Sequence, residues 1–182
     1  RLSGGRLTLG VGVGSLREEF DLLGSAWEDR GARADDAMRA LRAALSNTCP
    51  SYHGAFYRFD SMIVEPCAVQ QRVPIWVGGR TRRSLRRAVE LGDGWTPFGL
   101  TIEEMAKYLG SVDLPDQFAI ALSTPPLDPI DAPQQTLDRI GRLTDCGATD
   151  LSCVISARSS AHFTDQLSAL AELADLQQGE LR

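Results

Sequence analysis

Residues 74–92 read PIWVGGRTRRSLRRAVELG, and this stretch decides the fold. Ile75 to Gly79 is a short apolar run of the length of a buried strand. Two glycines end it. Thr81 then stands where a helix N-cap belongs, a helix runs to Leu91, and Gly92 supplies the stop. A strand, a double glycine, a cap and a helix in immediate succession make one βα unit.

The same grammar extends in both directions. Upstream, Leu7 to Gly14 (LTLGVGVG) alternates apolar residues with Thr or Gly and reads as a strand opened by glycine at its C-terminal end. Ala26 to Leu45 reads as a helix, with Ala37, Leu41 and Leu45 near helical spacing and Met38 beside them. Residues 47–73 form an excursion whose aromatic segment, Tyr52 to Phe59, suggests a hairpin. Downstream, Gly94 to Phe98 is a short strand. Ile102 to Leu109 is a helix, with Thr101 and Glu104 placed for a capping box. Phe118 to Ser123 is a strand, and a proline-rich loop follows it. Gln134 to Cys146 is a helix ended by Gly147, Leu151 to Ile155 a strand, and Ala161 to Leu176 a helix capped by Ser160.

Five strand-then-helix units imply an α/β fold with a parallel sheet. Two architectures meet that description. An open doubly wound sheet fits within 182 residues. A (β/α)8 barrel typically needs about 250 residues, so here it would be partial. The opening Arg1-Leu2-Ser3-Gly4-Gly5-Arg6, without methionine, reads as a connection between elements and favours the second. Residues 1–182 are expected to form one domain, whose unpaired strand edges favour self-association.

Composition narrows the function. The 19 basic and 24 acidic residues leave a net charge of −5, with a pI near 5.0. That balance argues against a general grip on nucleic acid or an anionic membrane. No apolar run reaches the length of a membrane span, and no secretory signal is visible. Cys49, Cys67, Cys146 and Cys153 have no metal or redox spacing, and only two histidines accompany them. They read as reduced, mostly packed thiols of a cytoplasmic protein, with no metal site. His53 and His162 have no carboxylate or cysteine at ligand spacing and read as structural or surface residues.

In α/β folds the chemistry lies at the C-terminal ends of the strands. After the first strand come Gly12, Val13, Gly14 and Ser15, then Arg17, Glu18 and Glu19. These glycines let backbone approach a ligand closely, or simply make a tight turn. Their spacing is neither a dinucleotide fingerprint nor a P-loop. After the second strand, Gly78, Gly79, Arg80 and Thr81 make an anion site, since free N–H groups and the positive end of the helix dipole converge there. Arg82 in the first helical turn opposes the dipole, and Arg82/Arg86 and Arg83/Arg87 set like charges at i,i+4. A bound phosphate would offset both penalties. The alternative is a solvated basic face partly relieved by Arg86 and Glu90. No aromatic residue interleaves with these arginines, which argues against nucleic acid. After the third strand, Trp95 either stacks on a ring or fills the core. No Ser-His-Asp pattern or carboxylate pair stands out, so a bound cofactor is expected to carry the reaction.

Seven segments in order, SGGRLTLGVGVG, EEF, RGARADD, HGAFYRF, PIWVGG, SLRRA and LGDGWTPFG, resemble the bacterial luciferase-like flavin and deazaflavin oxidoreductases, in particular their coenzyme F420-dependent branch. The resemblance covers residues 1–109; beyond Leu109 only the element order fits. It implies a TIM barrel seen from about its fourth strand to its eighth, with the first three βα units absent. It also implies a cofactor phosphate on Gly78 and Gly79, flanked by Val77, Arg80 and the cap Thr81. Trp95, Thr96 and Pro97 would lie beside the cofactor, as would Gly12 to Ser15 and Glu18. The implied reaction is hydride transfer between F420 and a small organic substrate in a homodimeric enzyme. FMN-using relatives, which activate oxygen, are the alternative, and a non-catalytic phosphate- or flavin-binding fragment is another. Sugar-phosphate dehydrogenases of the family carry an acidic residue where this chain has Ser15, which argues against that substrate. The resemblance names no catalytic acid or base on this chain.

Overall fold

A computed structural model describes residues 2–180. The chain divides into two compact units. One comprises Arg1–Pro97 and Ser111–Ala119, the other Phe98–Gly110 and Ile120–Arg182.

The first unit is built on three parallel strands, β1 (Leu9–Val11), β4 (Ile75–Gly78) and β5 (Gly94–Thr96). β4 lies between the other two. Leu9, Gly10 and Val11 stand opposite Ile75, Trp76 and Val77, and Trp76, Val77 and Gly78 stand opposite Gly94, Trp95 and Thr96. Strand pleating sends alternate residues to opposite faces. Ile75, Val77 and Trp95 therefore share one face, where each is 0% exposed beneath Leu85 and Ala88 of α3 (Arg82–Leu91). Fully burying an aliphatic side chain of this size contributes about 1.5–3 kcal/mol. The other face carries Gly10, Trp76, Gly94, Gly78 and Thr96, so apart from Trp76 it holds little side-chain volume. The strands run side by side in chain order, as in a barrel wall, with no reversal among them.

Between β1 and β4 come α1 (Arg17–Leu22), α2 (Arg30–Ala44) and an antiparallel hairpin, β2 (Tyr52–His53) with β3 (Arg58–Phe59). The hairpin agrees with the expectation for residues 47–73. α1 was not foreseen, because six residues are too few for a periodic stripe. The first strand is shorter than the expected Leu7 to Gly14. In α2 the buried residues are Asp36, Met38 and Ala40, so a carboxylate is buried in a helix whose spacing points Ala37, Leu41, Leu45 and Met38 inward. Asp36 is 6% exposed. It accepts hydrogen bonds from the Tyr52 hydroxyl (2.5 Å) and from the main-chain N–H groups of Phe56 (2.7 Å) and Tyr57 (2.9 Å). The Tyr52 hydroxyl, above all, holds the carboxyl below its ordinary pKa, and the two backbone donors add to it against the effect of burial. The hairpin is thus fastened to α2 through one side chain.

The second unit contains α4 (Ile102–Leu109), α5 (Pro133–Asp145), α6 (Ser160–Glu180) and, from Ile120 on, β6 (Ala119–Ser123), which pairs in parallel with β7 (Asp150–Ser152). Thr101 caps α4 as expected. Its Oγ1 accepts from the Glu104 N–H (3.2 Å), and its own N–H donates to Glu104 Oε2 (2.9 Å). Thr101→Ala is expected to lower stability by about 1 kcal/mol, read as a shift of the urea midpoint at constant m value. At α6 the capping hydroxyl belongs to Ser159, which accepts from the His162 N–H (3.1 Å); the expected cap, Ser160, is the first helical residue. The four cysteines are free, but Cys49 and Cys153 are exposed, which corrects their reading as packed thiols. No helix among the described residues is long and apolar enough to cross a membrane.

Candidate functional site

The turn from β4 into α3 is held by a reciprocal cap. Thr81 Oγ1 accepts from the Ser84 N–H (3.2 Å), and the Thr81 N–H donates to Ser84 Oγ (3.2 Å). The Ser84 hydroxyl donates in turn to the Thr81 carbonyl (2.7 Å). Two amides of the expected anion cradle are therefore already satisfied, and Thr81 is a structural cap first. Among the described residues no protein atom accepts from the main-chain N–H of Arg80 or Arg83, whereas Gly79 continues the β4–β5 ladder beyond the Gly78–Thr96 pair. These two are donors left at the positive end of a ten-residue helix.

Gly79 is what permits this turn. Its φ is 146°, and a Cβ there would stand 2.6 Å from Ser84 Cβ and 2.8 Å from its Oγ. Gly78 has no such constraint: its nearest neighbour would be Val11 O at 3.5 Å. A turn in which one glycine is required and the next main-chain donors are left available fits a phosphoryl group.

The structure also sorts the other expected residues. Gly12 follows β1, Gly78 ends β4, and Thr96 ends β5 opposite Gly78, so three strand ends present Gly12, Gly78–Gly79 and Thr96–Pro97 side by side. Gly12 is exposed with open space where a Cβ would go, and Pro97 is buried. Gly14 has φ 86°, and a Cβ there would meet Phe20 at 2.5 Å, so its glycine serves the turn into α1. Ser15 and Glu18 are exposed.

Two side chains do not do what the sequence suggested. Val77 points into the core. Trp95 is wholly buried, and its indole N–H donates to Ser84 Oγ (3.2 Å), so its ring supports the cap from below and does not stack on a ligand. The basic face is also not uniform. Arg87 is only 7% exposed and its Nε is bonded to Asp35, which removes one of the like-charge conflicts. Arg80, Arg82 and Arg86 are exposed.

Two features escaped the sequence reading. Trp76 lies across Gly94, where a Cβ would meet its ring at 2.7 Å, and it is the one large side chain on the glycine-rich face. The period-two alternation of PIWVGG already placed it opposite Ile75 and Val77. His53 Nε2 lies 2.5 Å from Asp60 Oδ2, so it does have a carboxylate partner, seven residues away across the hairpin.

The model of the luciferase-like monooxygenase family matches residues 1–119. An uncharacterized protein of Mycobacterium tuberculosis is 32% identical over 150 residues, which cover 82% of this chain and 51% of the relative. An FMNH(2)-dependent dimethylsulfone monooxygenase of Pseudomonas putida is 30% identical over 107 residues, covering 57% of this chain and 30% of that protein. Among solved structures, an F420-dependent secondary alcohol dehydrogenase superposes with a TM-score of 0.64 at 14% identity, covering 91% of this chain and 70% of that one. The chain thus spans about half the length, or less, of the curated relatives it matches.

Proposed function

Because the chain belongs to the luciferase-like monooxygenase family, and so to the flavin- and deazaflavin-dependent oxidoreductases, we propose that it forms the later strands of the family's barrel, about the fourth to the eighth, and binds the phosphate of a redox coenzyme at the Gly79 turn, on Arg80 and Arg83. The observation that carries this reading is the β4–α3 turn. It has a glycine that the turn requires, two main-chain donors without protein acceptors, those of Arg80 and Arg83, and a helix dipole behind them. Thr81, Ser84 and Trp95 hold that geometry fixed, so an anion meets donors that need no rearrangement. Gly12, Gly78 and Thr96 form a low rim along the strand ends, where a flat ring can approach backbone.

The coenzyme, when bound, supplies hydride transfer to or from a small organic substrate. The chain's residues bind and orient it. We take the coenzyme to be F420, because the exposed Arg80, Arg82 and Arg86 suit an anionic tail longer than one phosphate. FMN is the second reading, favoured by the similarity to the FMNH(2)-dependent enzyme of Pseudomonas putida.

Titration of the protein with F420 and with FMN, followed by absorbance, tests this. One coenzyme is expected to saturate, and Arg80→Glu to weaken it at least tenfold with an unchanged far-UV circular dichroism spectrum. Failure of both coenzymes to bind, or an unaffected Arg80→Glu variant, would overturn the proposal and leave a module with another role.

A further inference from the structure

A cavity of about 300 Å³ opens at the first turn of α2, on the helix-covered side of β1 and β4. Its walls are mostly apolar, with Val13, Phe20, Met38, Leu41 and Val77 among them; Ser25, Tyr57 and the Asp35-paired Arg87 also line it. Arg30 and Arg33 stand on the same cavity, one turn apart at the start of the helix. Gly78 to Thr81 do not line it, although Gly12, Val77 and Arg87 do, so it adjoins the strand ends without including the β4–α3 turn.

The two arginines are held but not neutralised. The Arg30 guanidinium lies 3.5 Å over the Trp27 ring and donates only to the Trp27 carbonyl (3.3 Å); its Nε is buried with no partner. Arg33 lies 5.6 Å from the Phe56 ring centroid and donates to the carbonyls of Ala26 (3.0 Å) and Glu28 (3.5 Å). Neither forms an ion pair among the described residues. Two carboxylates of the same helix are engaged elsewhere, Asp35 with Arg87 and Asp36 with Tyr52 and the hairpin amides. The N-cap residue, Asp29, makes no side-chain cap bond, and the first turn contains no acidic residue.

A buried guanidinium atom without an acceptor is costly, and two cations in a first helical turn oppose its dipole. One anion placed between them would relieve both. Stacking on aromatic rings fixes the planes of the guanidinium groups, which favours a flat, two-oxygen acceptor that can be gripped bidentately. The apolar walls favour a hydrocarbon body behind that acceptor. A phosphate would instead press a third charged oxygen on hydrocarbon. The volume sits at the lower end of ligand pockets, roughly 300–1,000 Å³. We infer that this cavity is a binding site for a small organic monocarboxylate with an apolar body, gripped by Arg30 and Arg33.

Equilibrium dialysis with octanoate and with octanol, in the absence of any redox coenzyme, tests the inference independently of the β4–α3 turn. Octanoate is expected to saturate one site and to bind at least tenfold more tightly than octanol. In the double variant Arg30→Gln, Arg33→Gln the two probes should bind alike, while Arg80→Glu should leave octanoate within twofold of the parent. Absence of saturable octanoate binding would overturn the proposal. So would equal affinity for octanoate and octanol in the parent, a result that does not depend on how well the double variant folds.

Discussion

Gly79→Ala is expected to cost about 3 kcal/mol of stability and to abolish coenzyme binding. Two penalties add. A backbone at φ 146° is a region that essentially only glycine occupies, worth about 1–3 kcal/mol for any other residue. The new methyl group would also drive into Ser84 Cβ and Oγ, at 2.6 and 2.8 Å, and overpacking of a tight site costs about 1–3 kcal/mol. Ser84 has no freedom to yield, since its hydroxyl serves Thr81 and receives the Trp95 indole. Gly78→Ala is the control. Its Cβ meets nothing nearer than 3.5 Å, and a change within about 0.5 kcal/mol is expected. Urea unfolding of the two variants, read together with coenzyme titration, checks the contrast. Equal midpoints for the two would contradict the turn described above.

Asp93→Ala is expected to cost about 2 kcal/mol at neutral pH. The Asp93 carboxylate accepts from the Ile75 N–H (2.8 Å), Arg42 Nη2 (2.5 Å) and Arg72 Nε (2.7 Å). Removing one partner of a fully buried charge pair costs about 3–5 kcal/mol. The Asp93 side chain is 24% exposed and Arg72 is 59% exposed, so solvent screens part of the interaction and the lower figure applies. Partial burial would by itself raise the carboxyl pKa; the Ile75 amide and the two arginines outweigh it and leave the group below the ordinary value. With the folded pKa below the unfolded one, the contribution is complete above the unfolded pKa, about 3.9. It disappears as pH falls through the folded value. The stability difference between parent and Asp93→Ala should accordingly be constant at neutral pH and narrow in acid. A difference that widened on acidification would refute this assignment.

What could be read from the sequence was local. The βα grammar of residues 74–92, the caps at Thr81 and Thr101 and the aromatic hairpin are all set by neighbours a few residues apart, and the structure agrees with each. What could not be read was set by distance along the chain. Arg42 finds Asp93 across 51 residues, Arg87 finds Asp35 across 52, and Asp36 holds a hairpin 16 to 21 residues on. Composition has no signal for such pairs. The ambiguity of Trp95 is of the same kind. Its identity suits a stacking platform or a core equally, and only the register opposite Val77 puts it beneath α3. Trp76 is the opposite case, since the alternation of PIWVGG already places it on the glycine-rich face. Of the basic residues read as one phosphate-seeking cluster, Arg87 is structural, while Arg30 and Arg33, which line the cavity and form no ion pair among the described residues, lie on another helix altogether.

Asp93 and Ile75 are joined twice, by the Asp93 N–H on the Ile75 carbonyl (2.7 Å) and by the Ile75 N–H on the Asp93 carboxylate. A side chain therefore stands in for a rung of the ladder where β4 begins, and that rung alone carries a titratable oxygen. In deuterated buffer the Ile75 amide should exchange as slowly as its core neighbours near neutrality, then outpace Val77 once acid protonates its acceptor, so that a single backbone proton reports the loosening of this strand entrance before the sheet itself gives way.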